Sequence, residues 1–219
     1  MLKVGREEAN PTWSGIGIAR HVAPDPLSTN AMTLAVEWLT ECLHSHPDYQ
    51  ASQEAQLPTR VVDVGCRGEN PRLYITNGEK GTYVTLSHCW GSFVPLRNTN
   101  STLASHLSRI EIAKMPKTFQ DAVRVTHLLG FKYIWIDSLC IIQDSKKDWD
   151  IESSRMQDGY SHAALNISAD AALDSTAGLG SRERLVDGVA VGNLESTERV
   201  FVRPVLTLIH LRSPMYLLR

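Results

Sequence analysis

The 219-residue chain carries 22 Lys and Arg against 24 Asp and Glu, a net charge of −2, so it has no basic field to recruit nucleic acid or an acidic membrane surface. Hydrophobic residues at 42% and charged residues at 21% suffice for a core, and no window approaches the run of about 18 apolar residues that a membrane span needs. Residues 1–20 lack an apolar signal-peptide centre, and the four irregularly spaced cysteines, Cys42, Cys66, Cys89 and Cys140, read as reduced thiols, so a cytoplasmic protein is expected.

Residues 1–30 are rich in Pro, Gly and polar residues without a period and are expected to form an irregular leader, partly packed through Trp13 and Ile16. A helix follows, capped by Thr29 or Asn30, with Leu34, Trp38, Cys42 and Leu43 along one apolar face. It ends around His44–Pro47, because proline lacks a donor and restricts the residue before it. A polar loop at 48–58 leads to two short strands, Arg60–Val64 and Arg72–Ile75, stopped by Gly65 and by Asn77-Gly78. Asn77-Gly78 and Lys80-Gly81 are turn signals, so residues 31–80 read as an N-terminal helix and a small β-hairpin leading into the main domain.

From Gly81 onward strand and helix alternate. Thr82–Cys89 is β-rich and ends at Trp90-Gly91, and a short helix is expected over Ser101–Arg109. Pro116 and Thr118 open a further helix, in which Thr118 and Asp121 have the spacing of a capping box. Its apolar face is Phe119, Ala122, Val123, Thr126 and Leu129, and Gly130 supplies the stop. Tyr133–Ile142 is a nearly continuous apolar run, the pattern of a central strand buried on both faces. Asp144 or Ser145 starts a helix reaching about His162, with Trp149, Ser153, Met156 and Tyr160 on one side, and Leu165–Ala169 is the next strand. This alternation predicts an α/β domain over residues 81–219, an open, mostly parallel sheet with flanking helices. Beyond the Gly- and Ser-rich stretch at 175–181, the strand signals at Val186–Val191 and Arg199–Ile209 are weak.

Ligands of open parallel sheets bind beyond the carboxyl ends of the strands. That rule groups Ser87, His88, Cys89, Trp90 and Gly91 with Asp137, Ser138, Cys140, Gln143 and Asp144, and lets Glu152 lean over the same rim from the next helix. Asp137 lies inside Trp-Ile-Asp-Ser-Leu-Cys-Ile, where a carboxylate must be paired or hydrogen-bonded. It either accepts backbone amides and caps a helix, or serves a ligand or catalytic site. Cys89 beside His88 invites a thiol-nucleophile reading, yet neighbours on a strand face opposite ways, so His106 or His162 would have to supply the base. Burial as a small hydrophobe is the preferred reading of both Cys89 and Cys140. Trp90 reads as a lid or core aromatic on a glycine turn, with stacking on a ligand as the alternative, and Trp135 and Trp149 read as core. Cys42, His44, His46 and Cys66 lack the spacing of a zinc set, so no metal site is assigned. No Gly-rich phosphate loop is present.

The run Tyr83-Val84-Thr85-Leu86-Ser87-His88-Cys89-Trp90-Gly91 resembles the opening signature of fungal heterokaryon-incompatibility (HET) domains, a strand ending in Ser-(Tyr/His)-Cys-Trp-Gly. The similarity continues through Pro116–Ala122, Leu129-Gly130, Tyr133–Asp144, Asp148-Trp149, Glu152, Met156, Tyr160 and the strand at 164–169, and is strongest over 83–169. Leu57–Gly65 looks like the segment that commonly leads into this domain. The resemblance implies a cytoplasmic nonself-recognition module that brings growth arrest or programmed cell death, acting by self-assembly or contact with protein partners. HET domains have also been likened to TIR domains, a flavodoxin-like family, some of which cleave NAD+ through a helix-borne glutamate. That likeness implies a TIR/flavodoxin-like sheet, Glu152 as the catalytic candidate and NAD+ as a substrate, with Trp149 on the same helix face and Ser87 and Asp137 shaping the pocket. Such a glutamate would stabilise an oxocarbenium-like ribosyl centre as nicotinamide leaves. The alternative for Glu152 is a solvated glutamate or a partner of Arg155 or Lys146. Family members usually continue to an Arg-Gly-Trp-(Thr/Val)-Leu-Gln-Glu-like block. None is found before Arg219, so the C-terminal part of the domain is expected to be truncated or divergent.

Overall fold

The computed structural model describes residues 25–45, 55–92, 94–170 and 172–180, and the backbone of residues 189–191 and 200–202. Trp13, Ile16, His46, most of the loop at 48–58 and much of the two weak strand signals lie outside the described residues. Among the described residues no helix is long and apolar enough to cross a membrane. The sheet and its helices belong to one compact unit that ends at Ser181. A second unit, from Arg182, contains strands β6 (Val189–Val191) and β7 (Val200–Val202), paired antiparallel.

The first helix, α1 (Thr29–Ser45), starts one residue earlier than its expected caps: Ser28 Oγ accepts the Ala31 N–H at 3.3 Å. No α1 residue is fully buried, and Trp38, expected on the apolar face, is 52% exposed. The helix packs on the core through Met32 instead. Six residues further on, at about 100° each, Trp38 falls about 240° round the axis.

Strands β1 (Arg60–Asp63) and β2 (Arg72–Ile75) form the expected hairpin, with Arg60 opposite Ile75. The hairpin does not merely precede the main sheet. Strand β1 also pairs antiparallel with β4 (Tyr133–Trp135) through Val62 and Ile134. Strand β3 (Val84–Ser87) lies parallel to both β4 and β5 (Leu165–Ser168), giving the order β2-β1-β4-β3-β5. The sheet is therefore open and α/β as expected but mixed, with parallel pairing confined to β4, β3 and β5. Helix α2 (Leu103–Ser108) and then α3 (Lys117–Leu128) connect β3 to β4. Helix α3 buries Phe119, Ala122, Val123 and Thr126 of the expected face, whereas Leu129 follows the last turn as its C-cap and is half-buried. Phe119, Ala122 and Val123 belong to the same core cluster as Val84, Leu86, Ile134 and Leu73.

The apolar run Tyr133–Ile142 is not one strand. Strand β4 stops at Trp135, and Asp137–Cys140 coil into a single turn, α4. Polar side chains inside the run and just beyond it satisfy that turn. Asp137 Oδ1 accepts the Ser138 N–H at 2.7 Å, and Gln143 Nε2 donates to the carbonyls of Asp137 and Ile141 at 3.1 and 3.2 Å. The run is apolar because strand and turn are both buried, not because both are extended. The helix expected to reach His162 also divides, into α5 (Lys146–Ser154) and α6 (Met156–Ser161). Ser145 caps α5 by accepting the Asp148 N–H. At its other end the Ser153 and Ser154 hydroxyls donate to the carbonyls of Asp150 and Ile151, the side-chain competition that weakens a helix end.

Candidate functional site

Strand β3 runs out at Ser87, whose carbonyl still accepts the Ala169 N–H at 2.9 Å. The next two side chains separate as strand alternation requires: the His88 ring is 1% exposed, whereas Cys89 is exposed. Cys89 is thus not the buried hydrophobe expected of it. Cys140 is, and burial pushes its thiol up to about 12.

Turn α4 carries Asp137 to this strand end. Trp90 donates its Nε1–H to Asp137 Oδ2 at 3.1 Å, and His88 Nδ1 lies 3.9 Å from Oδ1. Phe119 meets the His88 ring edge-on, with centroids 5.0 Å apart. His88 Nε2 is buried without a hydrogen-bond partner. Burial holds His88 below its ordinary value, against the pull of Asp137. Burial likewise raises the Asp137 carboxyl, opposed by His88, the Ser138 N–H and Trp90. Desolvation therefore drives both groups towards their neutral forms.

The remaining candidates of α4 and its exit fasten the neighbouring loop. Ser138, fully buried, donates its hydroxyl to Leu96 O at 3.0 Å. The Gln143 N–H donates to Asn98 O, and Asp144 Oδ1 accepts both the backbone and side-chain N–H groups of Asn100 at 2.8 and 3.0 Å.

The strand ends are crossed by the chain itself. Gly91, at φ +59°, lies against Leu173 and Asp174, so close that a Cβ would stand 2.5 Å from Leu173 O. Further along the same strap, Ser175 O accepts the Thr118 N–H at 3.0 Å. Gly178 N–H donates to Thr118 Oγ1 at 3.0 Å, and Leu179 N–H to Asp121 Oδ2 at 3.1 Å. Thr118 and Asp121 consequently do not box their own helix, which has no side-chain cap. They hold residues 175–179, and Lys117 pairs with the same Asp121 carboxylate.

Glu152 occupies different surroundings. It is 6% exposed on α5 and lines a cleft of ≈ 660 Å³ with Thr59, Ile75, Tyr83, Trp135 and His162; Ser87 and Asp137 are not among the lining residues. It is neither solvated nor paired with Arg155 or Lys146, and Lys146 bonds Asp150. The cation nearest it is Arg60, whose Nη2 is 4.0 Å from Glu152 Oε1. Arg60 is otherwise engaged: Nη2 bonds Asp148 Oδ2 at 2.5 Å and Nε bonds Cys140 O at 2.6 Å. Asp148 Oδ2 also accepts the Ile142 N–H at 2.8 Å. Trp149, expected in the core and on Glu152's face, is 45% exposed. Three helical residues leave about 60° between them, enough to straddle the boundary of the buried side. Sequence reasoning passed over Arg60 and Asp148. The available signal was a charged residue opening a strand that is buried at all four positions, since buried arginine requires a partner.

A family model described as Heterokaryon incompatibility protein (HET) matches residues 83–199. The match takes in His88, Trp90 and Asp137 at the strand ends as well as Glu152 in the cleft. No curated protein and no solved structure matches the chain.

Proposed function

The chain belongs to the heterokaryon incompatibility family, and on that premise we propose that it is a fungal nonself-recognition module that triggers growth arrest or cell death by self-assembly or contact with protein partners. The observation that carries this reading is the family match over residues 83–199. The strand-end geometry agrees with it. His88, Trp90, Asp137 and Phe119 engage one another, and Gly91 lies against the strap, an arrangement suited to holding a shape. Large apolar side chains meanwhile remain at the surface, with Trp149 45%, Val94 61% and Leu173 86% exposed. Aromatic and aliphatic groups left in water are material for protein contacts.

A second reading, a TIR-like NAD+ glycohydrolase, is favoured by the position of Glu152 in a cleft of a size that suits small ligands. In that reading Glu152 stabilises the oxocarbenium-like centre as nicotinamide departs, and Ser87 and Asp137 act only through the surrounding structure. Induced expression of the chain and of Glu152→Ala in a fungal host, following NAD+ and viability together, separates the two. Toxicity with NAD+ unchanged supports the signalling reading and removes the enzyme. NAD+ loss that vanishes in Glu152→Ala supports the enzyme.

A further inference from the structure

The strand-end site is shut by the chain that follows β5. His88 lies between Ser87 and Gly91, and the later chain meets both. The Ala169 N–H bonds Ser87 O, and Leu173 and Asp174 crowd Gly91. On the far side Ser175 O accepts the N–H of Thr118, the neighbour of Phe119, whose ring meets His88 edge-on. The attachment points of the strap thus bracket the His88 ring, which is 1% exposed.

The closed arrangement leaves polar atoms without partners. Among the described residues three buried side-chain nitrogen or oxygen atoms have none, and two of them are His88 Nε2 and Ser175 Oγ. One belongs to the site and the other to the strap. Each has lost water without gaining a hydrogen bond, a penalty that lifting the strap relieves. The strap is also held by bonds that water can replace. Ser175 O, the Gly178 N–H and the Leu179 N–H meet the first turns of α3 at 3.0, 3.0 and 3.1 Å. Segments held by such exchangeable bonds open below the free energy of global unfolding.

The chemistry beneath is that of a proton acceptor. His88 Nδ1 faces Asp137 Oδ1 at 3.9 Å, which favours the tautomer with its proton on Nδ1 and leaves Nε2 as acceptor. Burial keeps the ring below its ordinary value, so it is neutral near pH 7. Trp90 and the Ser138 N–H fix the carboxyl behind it. Neither His88 nor Asp137 lines the Glu152 cleft, so the site does not depend on the hydrolase reading.

We propose that residues 172–179 are a lid over a latent proton-accepting site, His88 backed by Asp137, which meets water and substrate hydroxyls only when the lid lifts from α3.

The test is labelling of the full chain with diethyl pyrocarbonate, which acylates neutral imidazole nitrogens, read residue by residue by mass spectrometry. His106, buried on α2 and bonded to Asn98, is the internal reference. Both rings should label slowly in the wild-type chain. Thr118→Val and Gly178→Ala loosen the lid and should speed His88 labelling about tenfold or more, the equivalent of one lost hydrogen bond, with His106 unchanged. Adding Asp137→Asn to Gly178→Ala should slow His88 again, because the charge that favours its basicity is gone. A His88 rate that stays at the wild-type value, rises only in step with His106, or ignores Asp137→Asn overturns the proposal. Where a variant does not fold, urea on the wild-type chain decides. His88 should label below the unfolding transition and His106 only through it, and labelling of both rings only through the transition overturns the proposal.

Discussion

The Trp90 indole donates its Nε1–H to Asp137 Oδ2 across 3.1 Å, tying the end of β3 to the helical turn after β4. Two adjacent parallel strands are thereby joined at their carboxyl ends by side chains as well as by the sheet ladder. Replacing Trp90 by Phe keeps an aromatic ring and removes this donor. The expected loss is about 1–2 kcal/mol, the range for a hydrogen bond to a carboxylate in a partly exposed setting. Urea unfolding checks it, and an unchanged midpoint would show the contact to be incidental.

His88 and His106 are both held below their ordinary value by burial. The folded state favours the neutral rings, so their contribution is complete above the unfolded value of about 6.5 and is lost as pH falls through the lowered folded values. Asp137, raised by burial, works the other way. Its contribution is complete below the unfolded carboxyl value and is lost as pH rises through the raised folded one. The two histidines should therefore lower the urea midpoint between about pH 7 and about pH 5, so that the midpoint changes less favourably on acidification in the wild-type chain than in a His88→Asn/His106→Asn chain. An identical fall in both would assign the acid sensitivity elsewhere.

The strap depends on Gly178. Its φ is +79°, and an added Cβ would stand 2.6 Å from Asp121 Oδ2 and 2.9 Å from Lys117 Cγ. Gly178→Ala should cost about 1–3 kcal/mol from the backbone strain and release the Leu179 amide from Asp121. Hydrogen exchange reads that release directly. Faster exchange at Leu179 with slow exchange retained at Val84 and Ile134 is expected. Unchanged Leu179 protection would mean the strap is held by other contacts.

Arg60 is a buried cation, 7% exposed, ion-paired with Asp148 and Glu152. Arg60→Met removes the cation and leaves the Asp148 and Glu152 carboxylates facing each other without one, which should cost about 3–5 kcal/mol. A triple variant that also carries Asp148→Leu and Glu152→Leu should recover much of that loss, because well-packed apolar residues replace buried ion pairs at little cost. Chemical denaturation of both chains checks the pair. No recovery would locate the loss in packing around Arg60 rather than in charge.

Much of this arrangement could be read from residue order. The strand Arg72–Ile75, the cap Ser145 and the buried face of α3 each follow from a local rule, so the structure repeats the expectation at those places. The departures arise where one signal has two physical causes. An unbroken apolar run reports burial, and Tyr133–Ile142 is buried both as strand and as turn. Thr118 and Asp121 have capping-box spacing, but their hydrogen bonds go to a strap about 60 residues away in sequence, which no local pattern encodes. The Glu152 environment was illegible for the same reason. Its neighbour Arg60 comes from the far side of the sheet order, and only the antiparallel joining of β1 to β4 brings the two together.

The central claim, that this HET-family chain is a trigger of growth arrest, meets its most direct test in the growth rate of a fungal host induced to express it, with the amount of soluble folded chain measured in the same culture. The account predicts that growth stops as the folded chain accumulates, and that the Gly178→Ala and Trp90→Phe chains, at equal soluble level, act more weakly. Cultures that accumulate the folded wild-type chain and grow like the uninduced control would contradict it.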